Sequence, residues 1–231
     1  MKQLFRLAVW DVAIVLTCAA IVLTVSFGHT DRRFAQAQRN AATRIVIDAG
    51  HGGADGGAEA ADGTLEKTIN LVVAQPLGDL LQIMGYAVTY TRTDDTMIHT
   101  EGDTLRERKV SDMRNRLALV ETADLTVSIH QNKFPQTQYS GTQVFYGVGH
   151  ETSRTVAAAI REEVVSLLQP HNTRELKKGD SNIYLLSKAT RPIVLVECGF
   201  LSNPSELANL KTETYRCRLA FAIAGGVLKG R

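Results

Sequence analysis

The chain has 231 residues and only three cysteines, Cys18, Cys198 and Cys217, which follow no regular spacing. That excludes a disulfide framework and a cysteine-based metal site, and leaves buried free thiols as the expectation. Charge of neither sign is in excess, since 26 Lys and Arg oppose 24 Asp and Glu for a net of +2. Such a balance argues for neither nucleic acid nor a polyanionic surface as partner. There are no repeats and no low-complexity tracts. A content of 44% hydrophobic and 22% charged residues suits one compact domain plus an appendage.

The appendage is N-terminal. Lys2 and Arg6 precede an apolar run from Leu7 to Phe27, broken only by Asp11 and a few hydroxyl residues. Basic first and apolar second describes an export signal or an uncleaved anchor. Counted from Leu7 the run barely spans a bilayer, and from Val12 it is a signal-sized core. Ala35-Gln36-Ala37 meets the small-x-small cleavage rule but lies behind Asp31, Arg32 and Arg33, far from the apolar end. The expectation is a signal peptide or signal-anchor over residues 1–28, a polar, alanine-rich linker over 29–43 and a domain over 44–231. The first segment would place the domain outside the cytoplasmic membrane.

The domain opens on Ile45-Val46-Ile47-Asp48-Ala49-Gly50-His51-Gly52-Gly53-Ala54-Asp55-Gly56-Gly57. The β-branched residues read as a buried strand, and the glycines after it as a loop that lets backbone pass close to whatever His51 touches. A phosphate-binding loop is the rival reading. The run contains neither G-x-G-x-x-G nor G-K-[ST].

Three further residues turn the balance. Glu66 begins an apolar-periodic helix, His130 follows the strand Leu125 to Ile129, and Glu197 follows the strand Ile193 to Val196. Side chains at strand ends and helix starts share one edge of an α/β sheet, where such folds place their sites. Two histidines and one glutamate make a catalytic zinc set with a position open for water, and a second glutamate beside it supplies the general base.

Elsewhere, Ile69, Val72, Val73, Leu77, Leu80, Leu81 and Met84 form one helical face, with Pro76 inside it and Gly85 as the C′ residue. Residues 86–91 and 141–146 read as strands. Leu105 to Val120 is a helix rich in arginine, read as a solvated face with Glu107 and Asp112 as partners, unless one arginine holds an anionic glycan or peptide. Glu151 to Leu168 is amphipathic, with Val156, Ala159, Ile160, Val164 and Leu167 inward. His99, His150 and His171 lie in loops without spaced partners. Two short helices over Glu206 to Leu228 close the chain. Alternating strands and helices imply an α/β fold, a single layered domain with a mostly parallel or mixed central sheet and helices on both faces.

Asp48-Ala49-Gly50-His51-Gly52-Gly53, Leu65-Glu66-Lys67, Ser128-Ile129-His130-Gln131-Asn132 and Val196-Glu197-Cys198-Gly199-Phe200-Leu201-Ser202-Asn203-Pro204 together resemble the zinc-dependent N-acetylmuramoyl-L-alanine amidases of the amidase_3 type. The four motifs stand in the family's order over about residues 44 to 229. The resemblance implies one Zn2+ held by His51, Glu66 and His130, with Glu197 as catalytic base. It also implies hydrolysis of the amide between the lactyl group of N-acetylmuramic acid and L-alanine of the stem peptide. Asp48 and Asn132 become candidates to orient the ligands.

Between His130 and Glu197 little room remains for an inserted inhibitory helix, and no wall-binding module is left over. That layout resembles the germination-specific amidases, which act on spore-cortex peptidoglycan and, with a deacetylase, produce muramic-δ-lactam. The implied partners are the peptidoglycan strand with its stem peptide, a regulatory lipoprotein or deacetylase, and the membrane through the N-terminal segment, with no nucleic acid. Two other readings use the same residues or fold: a stem-peptide metallopeptidase, and a non-catalytic wall- or partner-binding domain that would be expected to lack a ligand or the base.

Overall fold

The computed structural model describes residues 43–231. The signal or anchor over 1–28, Cys18, and all of the 29–43 linker but Thr43 lie outside the described residues. Among the described residues, no helix is long and apolar enough to cross a membrane.

Six strands form one sheet in the order β2-β1-β3-β6-β4-β5. β1 (Arg44–Ala49) pairs in parallel with β2 (Ala87–Tyr90) and β3 (Leu125–Asn132), and β3 with β6 (Ile193–Phe200). β4 (Gln143–Tyr146) runs antiparallel to β6, and the two-residue β5 (Lys177–Lys178) runs parallel to β4. The sheet is therefore mixed, with four parallel strands and a reversed edge. β1 is buried from Ile45 to Ala49, as its unbroken apolar run requires of a strand covered on both faces.

One face carries α1 (Glu66–Ile83), α3 (Glu151–Leu167) and α6 (Glu213–Gly230), packed on Ile45, Ile47, Val127, Ile129, Val194 and Val196. Residues alternate along each strand, so Ile193 and Leu195 point the other way. They meet Val120 of α2 (Leu105–Val120) and Leu185 and Leu186 of α4 (Tyr184–Lys188). α5 (Pro204–Lys211) starts on Asn203, whose side chain accepts from Ser205 and Glu206 N, with Pro204 in the first turn.

α1 runs unbroken through Pro76. Only the carbonyl of Val72 loses its usual partner there, because proline has no N–H to give it. Gly85, at φ 91°, ends the helix in a Schellman turn: its N–H donates to Gln82 O and that of Tyr86 to Leu81 O. α2 starts on a capping box made by Thr104 and Glu107. α6 lies close on α3, where a Cβ at Gly226 or Gly230 would meet the backbone of Ile160 or Val156 at 2.4 and 2.6 Å.

Several expectations are corrected. β3 and β6 extend past His130 and Glu197, so both residues lie within strands and not after them. In α3 the buried residues are Val156, Ala157, Ile160 and Val164, whereas Leu167 is exposed, because the helix ends there and its last turn leaves the sheet. The closing pair includes one long helix, α6, of 18 residues. Cys198 is buried, but Cys217 is exposed on α6.

Candidate metal centre and its neighbouring carboxylate

The site is built where β1 ends. His51 has φ 61°, the one described non-glycine residue in the left-handed region. That conformation costs an L-residue about 1–2 kcal/mol and persists only where its surroundings fix it. The fixing groups are two arginines beneath the turn. Arg116 of α2 donates from Nη1 to Ala49 O (2.9 Å) and from Nη2 to His51 O (2.7 Å). Arg92 donates from Nε to Ala49 O (2.9 Å) and from Nη2 to Gly50 O (3.0 Å) and Lys67 O (2.7 Å).

Glu66 is the first residue of α1, and its carboxylate receives both histidines. His130 Nδ1 stands 2.9 Å from Oε1, and His51 Nε2 3.3 Å from Oε2. The two rings meet edge to face with centroids 5.1 Å apart. One ligand atom from each of His51, Glu66 and His130 can be chosen so that all lie within 4.8 Å of one another. The set also has the donors a divalent cation of the zinc type takes, two imidazoles and a carboxylate. The residues therefore fit a metal ion.

Glycine is required at two positions here. A Cβ on Gly50 would come within 2.2 Å of His130 Nε2, and one on Gly57 within 2.6 Å of Glu66 Oε2 and 2.7 Å of His51 Cδ2. Gly57 is also at φ 68°.

Two of the three ligands, His51 and Glu66, are oriented from behind. His51 Nδ1 pairs with Asp55 Oδ2 at 2.8 Å, and Lys109 Nζ binds the other Asp55 oxygen at 2.7 Å. Glu66 accepts from Ala58 N (2.9 Å), Gln131 N (3.1 Å) and Asn70 Nδ2 (3.3 Å). Lys67 ties the glycine loop down by donating to Gly53 O (2.6 Å) and Asp95 (2.7 Å). Burial opposes a charge on His51, but Asp55 and Glu66 outweigh it and lift its pKa to about 9. Burial would likewise raise Glu66, and the two histidines hold it well below the carboxylate range.

Glu197 sits one strand over, in register with His130. Parallel neighbours are roughly 4.8 Å apart, so Glu197 stands beside His130, and it is not among the three residues whose ligand atoms gather. Its Oε2 is buried and finds no hydrogen-bond partner among the described residues. Burial pushes its pKa up to about 7, with only partial relief from His130. A carboxyl poised near neutrality and free of hydrogen bonds at one oxygen is equipped to exchange protons.

Among the described residues, neither Asp48 nor Asn132 makes a hydrogen bond to a candidate ligand. Asp48 is buried under the turn, where its carboxylate accepts from Ser128 Oγ (2.6 Å), Thr91 Oγ1 (2.9 Å) and Arg116 Nη1 (2.5 Å). Burial raises its pKa, but Arg116 and Ser128 outweigh that and leave it lowered. It holds the arginine that holds the loop. Asn132 contributes its backbone carbonyl to Leu201 N (2.8 Å).

The groups that do orient ligands, Asp55 and Asn70, follow His51 and Glu66 by four residues, a spacing readable in the sequence. α2 is solvated over much of its length, as expected, but not at Arg116. Arg116 is 1% exposed and also binds Asp112 through Nε at 2.7 Å, while Glu107 serves the cap.

The family described as N-acetylmuramoyl-L-alanine amidase (Amidase_3) matches residues 45–229. The germination-specific N-acetylmuramoyl-L-alanine amidase of Bacillus subtilis is 39% identical over 188 residues, covering 80% of this chain and 78% of that one. The CwlD amidase of Clostridioides difficile, solved in complex with the GerS lipoprotein, superposes with a TM-score of 0.78 at 39% identity, over 81% of this chain and 98% of that one. An N-acetylmuramoyl-L-alanine amidase from Clostridium difficile 630 gives 0.70 at 30% identity, over 81% and 96%. With the family matched over most of its length and the four motif residues gathered at one sheet edge, this chain belongs to the N-acetylmuramoyl-L-alanine amidases.

Proposed function

We propose that the chain is a Zn2+-dependent amidase of spore-cortex peptidoglycan, which frees the stem peptide by cutting the amide between the lactyl group of N-acetylmuramic acid and L-alanine. The observation that carries this reading is the convergence of His51, Glu66 and His130 beside a buried carboxylate, Glu197, that no hydrogen bond holds at Oε2. When bound, Zn2+ lowers the pKa of water from about 15.7 towards about 7 and polarises the amide carbonyl.

The remaining work belongs to the chain. Glu197, ionised, accepts a proton from the attacking water; protonated, it donates one to the alanine nitrogen, which cannot leave as an amide anion. One carboxyl can do both, because the proton it accepts from water is the one it hands on. Asp55 keeps His51 Nε2 turned to the site by holding Nδ1.

The germination role is supported by the Bacillus relative and the CwlD likeness. CwlD was solved with a lipoprotein, which supports a lipoprotein partner for this chain also. Action on peptidoglycan calls for the domain to lie outside the cytoplasmic membrane, and residues 1–28 would carry it there as a signal peptide or signal-anchor. Digestion of purified cortex peptidoglycan followed by mass analysis tests the activity. Peptides with a free L-alanine amine and glycan strands with a free lactyl carboxyl are expected. Peptides cut internally, with the lactyl amide intact, would make the chain a stem-peptide peptidase instead.

A further inference from the structure

Residues 138–141 and 168–174, with Gln143, Lys177 and Glu206, line an open pocket of about 600 Å3. It lies beside the catalytic row, because Gln143 lines it and is the register partner of Glu197 across β4 and β6. Arg174 dominates it. Its Nε donates to Ser140 O at 2.7 Å, its Nη1 to Gln143 Oε1 at 3.3 Å, and its guanidinium lies 4.4 Å from the centre of the Phe200 ring. The backbone is held as well, with Arg174 N donating to Asn172 Oδ1 and Arg174 O accepting from Arg161 Nε.

A guanidinium fixed this firmly would ordinarily face a carboxylate. Among the described residues none forms an ion pair with it. Lys177, over the Phe145 ring at 5.8 Å, adds a second cation without an ion-pair partner. The one carboxylate in the lining, Glu206, lies within electrostatic reach of Arg174 but directs its two oxygens to the N–H groups of Gly141 and Phe200, each at 2.8 Å. The pocket is thus pre-arranged for an anion from outside, and a planar guanidinium suits a carboxylate.

We propose that this pocket binds a carboxylate of the stem peptide, on the side of the scissile amide that departs with L-alanine, and that Arg174 determines the preference for it. The inference rests on the amidase reading. The glycan is excluded as the source because its lactyl carboxyl is consumed in the amide being cut, while the acidic residues of the peptide keep theirs. Pre-placement removes most of the ordering cost from binding.

The test uses the full zinc-loaded protein and two muramoyl-peptides that differ only at the residue after L-alanine, whose carboxylate is free in one and amidated in the other. A charge-assisted contact predicts a KM about 10- to 100-fold lower for the free acid in the parent protein. In Arg174→Gln that ratio is expected to fall to about twofold through a higher KM for the acid, with kcat for the acid little altered. Equal KM values for the two substrates in the parent overturn the proposal, as does an unchanged ratio in the variant. Should Arg174→Gln fail to fold, the substrate comparison in the parent still decides. A parent that cleaves neither substrate refutes the amidase reading itself, whereas one that cleaves both equally refutes only the subsite.

Discussion

Replacing Arg116 by Met should cost the domain about 3–5 kcal/mol of stability, the usual effect of removing one partner from a buried ion pair. The size follows from what the guanidinium leaves behind. Among the described residues, Asp48, 1% exposed, keeps Ser128 and Thr91 but loses its one ion pair, and Asp112 keeps Ile98 N alone. The carbonyls of Ala49 and His51 lose donors too. A loss of that size is a large fraction of the roughly 5–15 kcal/mol a domain possesses.

Urea unfolding against pH separates this cause from simple loss of packing. In the parent, the lowered Asp48 pKa contributes stability that is complete above pH 3.8 and is lost as pH falls through the folded value. Without Arg116 the largest influence lowering that pKa is gone, and Ser128 and His130 oppose burial alone among the causes that lower it. The folded pKa therefore rises, and the stability lost on acidification shrinks. Adding Asp48→Asn should recover part of the deficit, so the double variant loses less than the sum of the singles. A variant within about 1 kcal/mol of the parent, with the parent's pH slope unchanged, would refute the argument.

Glu197→Gln should reduce turnover by about 10²–10⁴-fold with zinc content unchanged, and zinc lost in step with turnover would make Glu197 a ligand. In the metal-free protein the same variant removes a carboxylate whose pKa is raised from 4.5 to about 7, so the parent's deficit against it should be absent below pH 4.5 and grow to about 3 kcal/mol above pH 7; a difference that ignores pH would count against a buried, poorly paired Glu197. Because His51 is protonated below about pH 9 before metal arrives, Zn2+ binding at pH 7 should release about one proton. Calorimetry in buffers of different ionisation enthalpy measures that release, and none would contradict the ligand assignment. Gly57→Ala should cost about 1–2 kcal/mol from its left-handed backbone and weaken metal binding by pushing Glu66 and His51 apart, so unchanged zinc affinity in competition with a chelator would show the Cβ accommodated.

The sheet and the four motif residues were legible in the sequence because both depend on local pattern. Val, Ile and Leu runs mark strands buried on two sides, and His51, Glu66, His130 and Glu197 each stand next to such a run or a helix start. Arg116 was not legible. Its helix is so rich in charge that its spacing suggests solvent, and only the arrival of β1 with Asp48, 68 residues away in sequence, makes its position an interior one. Asp48 was misjudged for the same reason, since its partner lies on another element. Leu167 shows the reverse error, an apolar residue in phase with a buried face that falls one turn past where the sheet can cover it.

The division of the site between strands has a consequence for anyone purifying the protein. All three candidate metal ligands come from the first half of the domain, on the β1 loop, α1 and β3, whereas Glu197 arrives only with β6. Metal content and competence are therefore separate properties of a sample. A sample altered at Glu197 alone is expected to carry a full complement of zinc and turn over little, so specific activity and bound metal must be measured separately.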